Sequence, residues 1–298
     1  MENPRRAKCK TGKRNKIIEM YKNPLQFKQK LSLAYLWLVP PVAAAIGFGI
    51  APVSYKIYLP VWVLNACLML LSAYHLGLRK LWAQGPSGKQ QAVTALLLFT
   101  PWLLFSVFAG VGPPPSTVQG WVNTAAEQQI RYTILIAGGM LLLLGAALLK
   151  TQLQATGENL YSILAFAALG MAMPLFIINM AFWGYYLTDA FRLFAANPTA
   201  KRPDLYIAVK SLFYVISVAE VVLMYLGTLL FAVALKITGS LSKPASRWYM
   251  GCSLIAILLE LMPSYWPEPF GTAGYLVAIP AIPFVMYYLI GVHLLKTA

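Results

Sequence analysis

The chain has 298 residues, of which 59% are hydrophobic and 11% charged, with a mean hydropathy of +0.64. That composition excludes an ordinary soluble domain, and its long apolar runs must satisfy their backbone hydrogen bonds internally, as membrane-spanning helices; the alternating short strands of a membrane barrel are absent. A net charge of +15 invites a nucleic-acid reading, but the excess is gathered in one arm beside the first apolar run, where it orients a span and meets lipid.

The expected fold is all-α, a bundle of about eight transmembrane helices occupying residues 31–298, preceded by a basic cytoplasmic or interfacial arm at 1–30. The arm carries lysine or arginine repeatedly from Arg5 to Lys30, so its expected partner is a bilayer with anionic headgroups, and nucleic acid is not expected. The stretch before the first span is long and polar, which fits an uncleaved anchor better than a signal peptide.

In chain order, the first span is expected at about Leu31–Ala51, with Pro40 and Pro41 kinking it and Ala43, Gly47 and Gly49 offering a close approach to a neighbour. The second, about Ile57–Leu78, has Asn65, Ser72 and His75 on one face. A basic loop, Arg79–Gln90, leads to a third span at about Gln91–Val111 that stops at the rigid Gly112–Pro115. Residues 116–130 read as an extramembrane loop, and the fourth span, Tyr132–Leu149, shows only Gly138, Gly139 and Gly145, which signal packing or lipid contact. After the polar turn Lys150–Asn159, the fifth span, about Leu160–Leu187, is long enough to tilt or kink at Pro174. The sixth and seventh, Lys210–Leu235 and Trp248–Trp266, each hold one acid away from their ends; the eighth, about Thr272–Leu295, is interrupted by Pro280 and Pro283.

Alternation places most lysines and arginines on the side of the N-terminus, leaving only Lys56, Arg131, Arg192, Lys201, Arg202 and Lys210 on the other. The positive-inside rule then makes both termini cytoplasmic, in what reads as a bacterial inner membrane. Were the fifth or sixth span re-entrant, the count would fall to seven.

Chemistry is expected at the two intramembrane acids, because a carboxyl group in hydrocarbon is costly to keep and marks a functional site by default. At 100° per residue, Lys210, Tyr214, Ser217, Glu220 and Thr228 fall within about 120° of arc on the sixth span. Ser253, Glu260 and Ser264 share one face of the seventh, and Asn179 on the fifth is a candidate third member. Two antiparallel neighbours carrying these faces would share one polar cleft suited to binding a proton or cation. The competing reading has each acid protonated and hydrogen-bonded across helices, fixing the packing alone.

His75 and His293 are the only histidines. A haem held between them is the weaker reading, since a histidine near a helix C-terminus has an ordinary electrostatic reason to be there; no cofactor and no metal are expected. Cys9, Cys67 and Cys252 are too few and scattered for a disulfide framework or a cysteine-rich metal site. Enzyme signatures such as HExxH, G-x-S-x-G and a glycine-rich phosphate loop are missing. The function expected is therefore a small proton- or cation-coupled transporter or permease. A non-catalytic subunit with membrane-protein partners is the alternative, and an intramembrane enzyme acting on a lipid or isoprenoid is the least favoured.

Overall fold

The computed structural model describes residues 24–196, 204–263 and 266–296. The greater part of the basic arm and Ser264 lie outside these residues. The elements in order are α1 (Pro24–Gly49), α2 (Tyr55–Ala73), α3 (Arg79–Ala83), α4 (Pro86–Phe105), α5 (Phe108–Val111), α6 (Val118–Asn123) and α7 (Ala125–Ala155). They continue as α8 (Leu160–Ala181), α9 (Leu187–Ala196), α10 (Asp204–Ile237), α11 (Lys243–Glu260), α12 (Phe270–Ala278) and α13 (Ile282–Lys296). Two π-helical turns, Tyr74–Leu78 and Phe182–Tyr186, join α2 to α3 and α8 to α9 without interrupting the helical path. No strand occurs among the described residues, so this is an all-α membrane bundle.

Six helical stretches are long and apolar enough to cross a membrane, and the pair α12 and α13, bent by 61°, makes a seventh. The expected count of about eight is thereby corrected. The element that falls short is α11, whose 18 residues include Lys243, Arg247 and Glu260, too many ionisable groups for so short an apolar helix.

Helix ends also move relative to the expected loops. Arg79 and Lys80 belong to α3, so the supposed basic loop shrinks to a turn at Gln84 and Gly85, where φ is +84° and only glycine is comfortable. The stretch 116–130 is not a loop: it holds α6 and the first turns of α7, and Thr117 caps α6 by accepting from the Gly120 amide at 3.1 Å. Residues Lys150–Ala155 remain helical, and α8 begins where the Glu158 carboxylate accepts from the amides of Tyr161 and Ser162 at 2.7 and 3.0 Å. Glu158 is buried, but its charge lies on the positive end of a helix dipole, so its presence has a structural cause.

The long helices reverse direction in turn, and specific contacts fix the register. Gln152 donates to Thr94 at 2.8 Å, while Gly138 of α7 faces the Phe105 ring too closely for a Cβ, so α7 runs antiparallel to α4. Gly139 meets Phe176, Asn179 meets Glu220, and Ser246 donates to the Ala232 carbonyl at 2.9 Å, which carries the alternation through α8, α10 and α11. Along α13, Tyr287 donates to Met224 and His293 lies 3.1 Å from the Ser240 carbonyl, so α13 runs parallel to α10. Tyr288 donates to the Leu36 carbonyl at 2.8 Å, seating α1 on the same core. The described chain starts and finishes at one end of the bundle because α11, although too short and polar to count as a span, still runs antiparallel along α10 from that end and returns the chain to α12 and α13.

The core is aromatic and aliphatic, with Phe99, Phe176, Phe231, Phe284, Tyr287 and Tyr288 essentially inaccessible. It is built by α4, α7, α8, α10 and α13. In α1 and α2 only 22% and 11% of the most apolar stretch is buried, against 61% in α4 and 56% in α10; the first hairpin therefore flanks the bundle and does not build its centre.

Candidate functional site

Glu220 lies near the middle of α10 with 1% of its surface exposed, and Asn179, also 1% exposed, donates to its Oε2 at 2.9 Å. Asn179 stands on the last turn of α8, immediately before the π-helical Phe182–Tyr186, and an added residue of this kind re-aims side chains, often where a helix carries function. The packing that brings the two together comes from small residues on α8: Ala165, Ala168 and Ala172 are buried and admit α10 closely.

On the other side of α10, the contact between Ser246 and Ala232 sets an antiparallel register with α11 that brings Ala256 against Val221 and Tyr225. One turn further, Glu260 ends α11 at the level of Glu220. It is half-buried. Ser253 is fully buried on the same face of α11. Its Oγ and the Asn179 Oδ1 have no hydrogen-bond partner among the described residues.

The break between α12 and α13 completes the arrangement. Pro280 and Pro283 remove two backbone donors there, and Tyr225 donates to the Val277 carbonyl at 3.2 Å, satisfying an acceptor that the broken helix leaves open. Val277 and Met286 pack on Val221, Tyr225 and Ala256. Gly274 lets α12 approach the end of α11 closely: a Cβ there would stand 3.2 Å from the Leu259 carbonyl oxygen, one residue before Glu260. A discontinuous helix, an amide and two carboxyls therefore lie at one level of the bundle, Glu220 on the α8 side of α10 and Glu260 on its α11 side.

The expected polar stripe on α10 does not act as a unit. Ser217, Glu220 and Thr228 face inward to differing degrees, with Ser217 half-buried and Thr228 donating to the Met224 carbonyl at 3.2 Å. Lys210 and Tyr214 are exposed, Tyr214 by 60%, because at this end of α10 it is Val209 and Phe213 that turn toward the neighbouring helix, Phe213 stacking on Phe182 at 3.8 Å. Ser264 lies outside the described residues.

The histidines have separate local partners. His75 sits in the first π-helical turn with its ring 5.5 Å from that of Tyr74, and His293 ties the end of α13 to the turn between α10 and α11 through Ser240. No cluster of three or more His, Cys, Asp or Glu suited to a metal occurs among the described residues.

One buried ionisable residue was not singled out by its sequence context: Arg131, 7% exposed, in the second turn of α7. Its signal is a lone cation in QQIRYTILIAGG next to a continuous apolar run, with Glu127 one turn earlier. It is hidden because the apolar run can be read as starting just after it. Searches against protein-family models, curated proteins and solved structures find no match to this chain.

Proposed function

We propose that the protein is a small proton- or cation-coupled membrane carrier in which Glu220 and Glu260 are the coupling acids. The observation that carries this reading is the buried Asn179–Glu220 pair, at the level of Glu260 and beside the break between α12 and α13. A bilayer-embedded acid is expensive to retain, and carriers place such acids beside discontinuous helices whose exposed carbonyls and moving halves take part in ion binding and gating. The unpartnered oxygens of Asn179 and Ser253 add acceptors of the kind a proton-bearing group or a small cation requires. Glu220 is closed from solvent in this conformation and Glu260 is less so, as suits a cycle in which the bound ion is occluded by one helix set rocking against another. Asn179 and Ser253 are binding residues in this reading, whereas the exposed Lys210 and Tyr214 belong to the entrance, with Ser217 between.

The same reading puts both termini on the cytoplasmic side of a bacterial inner membrane, the basic arm resting on anionic headgroups. The end of the bundle where the chain starts and finishes also carries Arg79, Lys80, Lys89, Lys236 and Lys243, the bias the positive-inside rule requires.

The test is reconstitution of the full chain in liposomes with a trapped pH-sensitive dye, challenged with a panel of solutes. At least one solute should drive proton flux, and Glu220→Gln should abolish it at unchanged incorporation. Equal flux with Glu220→Gln would remove the coupling role. A second reading, a non-catalytic subunit of a membrane complex, is favoured by the sparse burial of α1 and α2. Recovery of the protein from mild detergent always with the same partner protein, and inactive without it, would support that reading instead.

A further inference from the structure

A second departure from ordinary membrane packing lies away from the acids, at the start of α7. Arg131 and Trp102 are 7% and 4% exposed, and both line a cavity of about 140 Å³ bounded also by Ala43, Phe105, Leu135 and Ile282. The Arg131 Nε and the Trp102 Nε1 are buried with no hydrogen-bond partner among the described residues. The guanidinium is poorly served otherwise: its nearest carboxylate, on Glu127, is 4.0 Å away and half-exposed, and its Cζ stands 5.8 Å over the Phe108 ring. A buried cation with an unused donor costs stability unless something else supplies an acceptor. An unused cationic donor at the outer end of an apolar chamber, with Trp102 lining its deeper part, points to a ligand with an anionic end and a hydrocarbon body.

Depth narrows the ligand class. At 1.5 Å per residue α7 is about 46 Å long, some 16 Å more than the hydrocarbon thickness, so about 8 Å extends past each face. Arg131, six residues from the first residue of α7, lies about 9 Å from that helix end, at the boundary between hydrocarbon and headgroups. The mouth is rimmed by the exposed Phe48 and Tyr275, and a chamber of this size accepts roughly one ring or a short chain segment.

We propose that this cavity binds an acidic lipid with one carboxylate or phosphate head, the head on Arg131 and the first part of its chain among Phe105, Leu135 and Ile282, running toward Trp102. The site is independent of the transport reading, and no solute flux is needed to detect it. The full chain in phosphatidylcholine nanodiscs is titrated with an acidic lipid, oleate or phosphatidate, brominated along its chain, and occupancy is read as fluorescence quenching lost in Trp102→Phe. Native mass spectrometry counts the bound lipid. Arg131→Gln should weaken binding at least tenfold, and Arg131→Lys, which keeps the charge but loses the fork, less. Inorganic phosphate should not compete at millimolar concentration. Equal binding by Arg131→Gln in nanodiscs that retain the native melting curve would overturn the proposal, as would full competition by inorganic phosphate, which would assign the site to a free anion.

Discussion

Glu220 and Arg131 are both charged residues buried in one bundle, and their surroundings differ in kind. Glu220 sits where helices pack most closely, with an amide hydrogen bond from Asn179 and aliphatic neighbours on α8, α10 and α11. Arg131 sits where packing stops short, beside a cavity, with a distant carboxylate and an idle Nε. The first burial is compatible with structure and with function alike, since a hydrogen-bonded polar pair also fixes how helices meet. The second is not explained by structure at all, because a poorly paired buried charge weakens a fold. Lack of partners is thus the more informative observation, and it falls on the residue whose sequence context is plainer.

The contrast can be broken by stability measurements, made by SDS-induced unfolding in mixed micelles. The largest effect should come from Glu220→Ala, which opens a cavity between α8 and α10 and orphans the Asn179 amide; we expect a loss of about 3 kcal/mol. Asn179→Leu removes only the interhelical hydrogen bond and should cost about 1 kcal/mol. If it costs as much as Glu220→Ala, the pair is a packing device and not a poised site. Arg131→Met, by contrast, should leave stability unchanged or raise it by about 1 kcal/mol, because it replaces an under-paired cation with an apolar chain of similar length. A loss above 2 kcal/mol would mean that Arg131 supports the fold and would erase the difference between the two regions. The smallest effects are expected from Lys210→Gln and Tyr214→Phe, below about 0.5 kcal/mol each, with flux in liposomes changed less than twofold; a larger flux change would restore the full stripe as a functional unit.

The seams of this bundle show what periodicity conveys. Asn179 was a candidate because it shares a span with a helical face of polar residues, and its contact with Glu220 is consistent with that placement. Lys210 and Tyr214 were candidates on the same angular grounds and are exposed, because an angle on one helix does not say on which side its neighbours lie: Val209 and Phe213 take the inward face there. Glu158 and Glu268 illustrate the converse: both are acids at helix starts, accepting from the amides of Ser162 and Thr272 respectively, so each has a local structural cause. The span count failed at α11 because a sixth and seventh helix were counted alike, although α11 is shorter and carries three ionisable residues.

Composition and hydropathy alone determined that the chain is helical and membrane-embedded, because apolar runs without water can satisfy backbone groups in no other open form. They also marked Glu220 as an acid inside a helical span, whereas Glu260, expected away from the ends of its span, is the last residue of α11. Only tertiary structure decided which of those acids gains an amide partner, that α12 and α13 bend apart beside them, and that Arg131 faces a chamber and not water. Those outcomes depend on interhelical register and on where packing leaves space, and neither is encoded in the periodicity of any single helix.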